Sequence, residues 1–370
     1  MATVLIPTRH KALVYDNPGS ISTKIEEIHT PAPGPGEVLI NLTHSGVCHS
    51  DMAIMMNAWK WLPAETPKGQ VGGHEGIGTV AAIGPNTESS GLKKGERVGI
   101  KWIASACGNC LPCISGADAN CTTAKISGYF TPGTFQQYAL APAHYVTPIP
   151  DGVPSDMAAP MLCGGVTVYS GLKKLIDEGV RPGDWVVVAG AGGGLGHLAV
   201  QIGGRGMGFR MLGIDTGEKE RLVKECGAEA FIDLSKYSRN AEGTQKLVAD
   251  VKVITGGGAA GTVVCTSANA AYAQGLAFLR FRGVMVCIGV PEGAAVPIAT
   301  ANPATVLALE LKIVGSSVGN RKEAIEVLEM TAREIVKTHF ETQPMSKLTE
   351  IFEKMGKGEI QGRVVLDLSA

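Results

Sequence analysis

Two textures of hydrophobic and polar positions succeed one another along the 370-residue chain. Up to about residue 160, short β-like runs at 11–15, 38–43 and 78–83 are separated by turns rich in proline and glycine. The clearest turn is Pro31-Ala32-Pro33-Gly34-Pro35-Gly36. Runs this short between such breakers predict an irregular, mainly β domain. From about Thr167 the texture changes. Residues 185–189 form a continuous apolar run, as a strand buried on both faces requires. Runs at 210–214, 230–232, 261–264 and 283–288 repeat that signal, with helical stretches at 218–225, 245–255 and 270–278 between them. The alternation predicts βαβ units, a parallel sheet and helices on both of its faces. In the tail, 321–337 reads as an amphipathic helix through Ala324, Val327, Leu328, Ile335 and Val336. A second helix is expected at 345–357 and a last strand at 363–368.

Composition narrows the class. Hydrophobic residues make up 45% of the chain, which excludes disorder. There are 49 glycines but no Gly-X-Y period, which excludes collagen. The net charge of -1 gives no basis for binding nucleic acid or an anionic membrane. The nine cysteines are an odd number in a long chain, which argues against a fully paired secreted framework and for a reducing compartment. The apolar run near the N-terminus ends at Pro7, too short for a signal peptide. The most membrane-like window, 185–204, is divided by glycines and holds His197 and Gln201. A soluble, cytoplasmic protein is expected.

After the run at 185–189 comes Gly190-Ala191-Gly192-Gly193-Gly194-Leu195-Gly196, and Asp215 closes the next apolar run. A tight turn, a backbone free to approach a pyrophosphate and a helix starting there are what a dinucleotide site needs. Gly192, Gly193, Gly194, Leu195 and Gly196 are the candidate cradle. The register is imperfect, with Ala191 in the first position of the best fit, and a glycine-rich turn that binds nothing is the plain alternative. A carboxylate at Asp215 suits the ribose hydroxyls of NAD and repels the 2′-phosphate of NADP; a surface turn acid is its plain alternative. Gly203, Gly204 and Gly206 fall where the first helix continues, each costing about 1 kcal/mol against alanine. The helix there is expected to end early or bulge.

Cys107, Cys110, Cys113 and Cys121 follow a C-x2-C-x2-C-x7-C spacing. Four thiolates suit a closed tetrahedral zinc, and an iron–sulfur cluster is the alternative. Cys48, His74 and Cys163 are dispersed. As a set they would leave a fourth zinc position open, but buried thiols and a satisfied histidine explain them equally well. Cys226, Cys265 and Cys287 read as core thiols.

These residues carry a resemblance. Gly73-His74-Glu75-Gly76, the four-cysteine stretch, Ser127-Gly128-Tyr129, Phe135-Gln136-Gln137-Tyr138, Leu162-Cys163-Gly164-Gly165 and the 315–321 segment resemble zinc-dependent medium-chain alcohol dehydrogenases, in particular the yeast and fungal tetrameric type. The resemblance covers nearly the whole chain. It implies an α/β protein: a GroES-like, mainly β catalytic domain (1–163 and 311–370, with a zinc lobe at about 105–122) and a doubly wound Rossmann domain with a parallel sheet at 164–310. It makes Cys48, His74 and Cys163 the ligands of a catalytic zinc, Glu75 the acid beside the metal, Asp51 the carboxylate orienting His74, and Ser50 the acceptor of the substrate proton. His49 and Arg363 would meet the cofactor pyrophosphate and Lys219 would support Asp215. Ile288, Val290 and Ser316 would also contact the cofactor, and Trp59 and Trp102 would wall the substrate pocket. It further implies two zinc ions per chain, NAD(H), an alcohol or aldehyde substrate and a homotetramer or homodimer. One departure stands out: the relay histidine usual five residues after the first zinc cysteine is Ala53 here. The altered stretch 52–63, with Met55, Met56, Trp59 and Trp61, also casts doubt on ethanol as the natural substrate. The expected reaction is reversible alcohol oxidation by hydride transfer to NAD+. The alternatives are a reductase acting on a bulkier aldehyde, a zinc-free NADP-linked reductase of the wider superfamily, and, from another class, a non-catalytic nucleotide- or zinc-binding protein.

Overall fold

The computed structural model describes residues 5–291 and 296–369; the first four residues of the stretch read for a leader lie outside them. The chain divides into two compact units. The first comprises Met1–Val166, Gly319–Ala332 and Phe340–Ala370, and the second Thr167–Val318 and Arg333–His339.

In the first unit the strand Glu37–Val47 is the spine. It pairs antiparallel with Gly76–Ile83, Tyr138–Pro142 and the C-terminal strand Arg363–Asp367. The strand Glu37–Val47 and the C-terminal strand, far apart in sequence, therefore share one sheet. The apolar pattern of this strand stops at Thr43, yet the strand runs on to Val47 through His44 and Ser45. A register irregularity between Leu42 and His44 re-aims the strand, and the Ser45 hydroxyl is satisfied by Thr134 Oγ1 at 2.7 Å. This polar extension delivers Cys48 to the head of the helix His49–Met55. A smaller sheet joins Thr23–His29, Arg9–Tyr15 and Gln70–Val71, and the short pair Ile103–Ser105 and Lys125–Ile126 flanks the four-cysteine lobe.

In the second unit six parallel strands lie in the order Ala230–Asp233, Arg210–Asp215, Trp185–Ala189, Ala259–Val264, Leu279–Cys287, Lys312–Gly315. The sheet is the expected one. Val186, Val187 and Val188 are fully buried; each stabilises the fold by about 1.5–3 kcal/mol. Two local expectations needed correction or completion. The helix expected over 321–337 ends at Ala332, because Glu334 takes a left-handed backbone (φ 58°) that no α-helix accommodates. The helix holding Gly203, Gly204 and Gly206 bulges: Ile202–Gly206 is a π-helical turn. A Cβ on Gly203 would lie 2.8 Å from the sulfur of Met211, on the neighbouring strand, so the glycine permits that close approach.

Candidate active site and metal centres

Three dispersed residues and one acid converge in the first unit. The donor atoms of Cys48, His74, Glu75 and Cys163 all lie within 4.8 Å of one another, and all four residues are buried. Cys48 caps the helix His49–Met55, and its N–H donates to Asp51 Oδ2 at 2.9 Å. The other oxygen of Asp51 accepts from His74 Nδ1 at 2.7 Å. That bond leaves Nε2 as the ring's free donor atom, and Nε2 is buried without a hydrogen-bond partner. A ligating histidine needs this arrangement, with one nitrogen fixed by a carboxylate and the other available. Ser50 Oγ stands 3.7 Å from the Cys48 sulfur.

The electrostatics call for a cation. A hydrogen bond from Cys163, with Arg363 and His74 nearby, holds the Cys48 thiol well below its ordinary range against the effect of burial. The same bond, then burial, pushes the Cys163 thiol well up. Burial disfavours a charged His74, but Asp51 and Cys48 outweigh it and lift its pKa well above the usual value. Burial raises the Glu75 carboxyl to about 7, although Arg363, whose guanidinium pairs with it, opposes the rise. Two thiols and two carboxyls thus share one guanidinium and one imidazole in a buried space. Ionising both thiols here is costly without a further positive charge, and two sulfur donors with one imidazole fit Zn2+ with an open fourth position.

The lobe differs in construction. Its four sulfurs also lie within 4.8 Å of one another. Cys110 and Cys113 are 3.5 Å apart and Cys107 and Cys113 are 4.0 Å apart, bracketing the ~3.8 Å edge expected of a tetrahedron with Zn–S bonds of ~2.3 Å. The N–H groups of Cys107 and Thr123 point at the Cys121 sulfur (3.3 and 3.4 Å) and bring its pKa to about 6. Cys113 is pushed up to about 12 by burial and by its bond with Cys110. Four thiolates cannot all ionise here without a cation, so this donor set also fits a closed zinc.

The glycine loop of the second unit follows the strand Trp185–Ala189, as expected. The Asp215 carboxylate accepts from Gly192 N–H (2.8 Å) and lies 3.5 Å from Lys219 Nζ. A Cβ on Gly196 would overlap the Gly190 carbonyl and the Ala191 backbone, so only glycine lets the helix start this close to the turn. Gly193, Gly194 and Leu195 are partly exposed. Among the described residues the Gly194 and Leu195 N–H groups donate to no backbone carbonyl. These are the groups a pyrophosphate would use, and the loop fits a dinucleotide.

The remaining expected residues take varied positions. Arg363 is buried against Glu75, and His49 is exposed. In the second unit Ile288 is buried, Val290 is exposed, and Ser316 is buried with its hydroxyl unpartnered. Trp102 meets the His74 ring edge-on at 4.8 Å, and Trp59 meets Trp102 at 5.9 Å. Ala53 is fully packed, at 1% exposure. Cys226 is buried and Cys265 and Cys287 are partly so; none belongs to either metal centre. The sequence pattern had no signal for Tyr15, whose hydroxyl holds the Asp51 carbonyl at 3.2 Å, or for Thr134, which accepts from the Glu75 N–H at 3.2 Å.

The fold and sequence are similar to those of known proteins. The family profile of the alcohol dehydrogenase GroES-like domain matches residues 34–151, and that of the zinc-binding dehydrogenases matches 194–333. The chain is 56% identical to alcohol dehydrogenase 2 of Emericella nidulans, over 100% of both chains. It is 41% identical to an alcohol dehydrogenase of Schizosaccharomyces pombe, over 98% of this chain and 99% of that one. Among solved structures, acetophenone reductase from Geotrichum candidum in complex with NAD superposes with a TM-score of 0.81 at 28% identity, covering 98% of each chain.

Proposed function

The chain belongs to the zinc-binding alcohol dehydrogenase family, and from that premise we propose how its own residues divide the work. It is an NAD-dependent enzyme that interconverts an alcohol and its aldehyde or ketone. The observation that carries the reading is the buried His74 Nε2, without a hydrogen-bond partner and within 4.8 Å of donor atoms of Cys48 and Cys163, while Asp51 holds Nδ1. When bound, zinc supplies a Lewis acid that lowers the alcohol's pKa, and NAD supplies the hydride acceptor.

Cys48, His74 and Cys163 hold the catalytic metal, and Asp51 fixes the imidazole through Nδ1 so that Nε2 faces the metal. Ser50, beside the ligand set, takes the substrate hydroxyl proton. Glu75 balances the charge of the pocket and shares Arg363 with the cofactor pyrophosphate, which His49 also meets. Gly192 to Gly196 cradle the phosphates, and Asp215 with Lys219 selects NAD through the ribose. Ile288, Val290 and Ser316 complete the cofactor contacts. Trp59 and Trp102 wall the substrate side. Cys107, Cys110, Cys113 and Cys121 hold a second, structural zinc. The working protein is a cytoplasmic homotetramer or homodimer.

Ala53 stands where the resemblance expects the relay histidine that follows Ser50, which favours a second reading: reduction of a bulkier aldehyde as the working direction. A steady-state screen of ethanol, bulkier alcohols and their aldehydes with NAD(H) and NADP(H), alongside metal content, tests both. The expected result is two zinc per chain and at least about tenfold preference for NAD(H). Full turnover by a protein holding only the lobe zinc would overturn the metal assignment.

A further inference from the structure

His197 is fully buried in the second unit, on the helix that opens behind the glycine loop. Its Nδ1 lies 2.9 Å from the Gly193 carbonyl oxygen. A carbonyl can only accept, so Nδ1 carries the proton. Its Nε2 lies 3.3 Å from the backbone N–H of His339, which can only donate. The two partners together define one neutral tautomer. One helical turn further, Gln201 is also buried and grips the same tail segment: its side-chain amide donates to the Lys337 carbonyl (2.8 Å), and its oxygen accepts from the Lys337 N–H (3.0 Å). His197 and Gln201 thus tie the loop-bearing helix to the segment Arg333–His339, which belongs to this unit although it is distant in sequence.

The Gly193 carbonyl accepts twice from one residue, from the His197 backbone N–H (3.2 Å) and from the ring. In a planar trans peptide the C=O and the following N–H point in opposite directions. Fixing the Gly193 carbonyl toward the helix therefore fixes the Gly194 N–H away from it, and among the described residues that N–H donates to no backbone carbonyl. A glycine-rich loop has many alternative peptide orientations, and an ordered one must be held from outside the loop.

We propose that His197 is a positioning residue for the cofactor: as the Nδ1–H tautomer, held through Nε2 by the tail segment, it locks the Gly193–Gly194 peptide so that the loop meets a dinucleotide pyrophosphate preorganised. The inference rests on the reading that this loop binds NAD. It is tested by direct titration of NAD into the metal-loaded protein by calorimetry, for wild type and for His197→Ala, His197→Asn and His197→Gln, with a thermal melt of each cofactor-free protein. An asparagine amide can stand where Nδ1 stood and a glutamine amide where Nε2 stood. The expected result is a Kd for NAD raised about tenfold in His197→Ala, mostly restored in His197→Asn and not in His197→Gln. Wild-type affinity in a folded His197→Ala protein, or equal rescue by both amides, overturns the proposal. A wild-type protein that binds no NAD overturns the underlying cofactor reading instead. Should His197→Ala fail to fold, 15N-histidine spectra of the full chain decide, with the His197 signal assigned by its loss in His197→Asn. An Nδ1–H tautomer before and after NAD addition supports the lock; an Nε2–H or doubly protonated ring overturns it.

Discussion

The two sulfur clusters solve opposite problems. In the lobe all four cysteines fall in the stretch from Cys107 to Cys121, three of them are exposed or half-buried, and the nearest support is backbone N–H. In the proposed catalytic centre Cys48, His74 and Cys163 are dispersed in sequence and buried, and their support is charged: Asp51, Glu75 and Arg363. A closed site made from one short loop can be built before the rest of the fold and needs little tuning. An open site must hold its ligands still while one position exchanges, so the surrounding protein supplies the rigidity and the charge balance.

The largest effects should separate the two clusters. Cys48→Ala should abolish turnover while one zinc per chain remains and thermal stability changes little. Cys113→Ala should instead empty the lobe and lower the melting temperature by upwards of about 10 °C, the scale expected for losing a structural metal. Metal analysis and thermal unfolding of the two variants check this. If either variant loses both metals, the clusters are not independent.

Asp51→Asn sharpens the same contrast. Both carboxylate oxygens accept N–H donors, from Cys48 and from His74. An amide offers only one acceptor and turns its NH2 toward the other donor. Catalytic zinc affinity or kcat/KM should fall about 10- to 100-fold, with the lobe zinc unchanged. Competition with a chelator dye, read alongside kinetics, measures both.

The difference between the clusters also decides how much of each was legible in the chain. The lobe announced itself by spacing, because its geometry is local. The Rossmann sheet did too, because a strand such as Trp185–Ala189, buried on both faces, is a continuous apolar run. The grouping of Cys48, His74 and Cys163 was legible only through resemblance. Cys48 reaches its place through a strand that continues across His44 and Ser45 after its apolar pattern has ended, and no local pattern predicts that Thr134 will satisfy the buried serine. Likewise, nothing in the 321–337 periodicity signals the left-handed Glu334 that ends the helix and leads into the segment gripped by His197 and Gln201.

Lys101 adds a smaller, pH-dependent test on the lobe's side of the comparison. It is almost fully buried, its ammonium lies 3.7 Å over the Tyr145 ring, and its Nζ donates to the Ile103 carbonyl. Burial brings its pKa down to about 7; Asp118 opposes that fall and Arg321 adds to it. The unfolded chain keeps its ordinary value near ~10.4. Between these two values the unfolded state binds a proton that the folded state does not, so this group's contribution to stability rises with pH across that window, by at most about 1.4 kcal/mol per pH unit. Lys101→Met should lose that slope. Denaturant midpoints at pH 7 and pH 9 check it: the variant's stability relative to wild type should fall as the pH rises, and parallel curves would place the proton on Lys101 throughout.

The smallest expected effect tests whether the lobe is docked or merely adjacent to the body of the first unit. Asp118 lies in the lobe, and its Oδ2 accepts from the Tyr145 hydroxyl at 2.5 Å, with the Arg321 N–H at 3.4 Å. Its Oδ1 is buried with no partner, so the tyrosine supplies the strongest of the few bonds this carboxylate has. Asn320 adds a neutral bond to the Gly116 carbonyl at 2.8 Å. Tyr145→Phe removes only the hydroxyl, keeps the ring under Lys101, and should cost about 1.5 kcal/mol, as for a hydrogen bond to a charged group. If that bond docks the lobe, the lobe zinc should pass to a chelator several-fold faster in Tyr145→Phe, with kcat and the catalytic zinc unchanged. Turnover falling in step with lobe-zinc loss would mean that the closed site supports the open one, and the division between the two clusters would have to be abandoned.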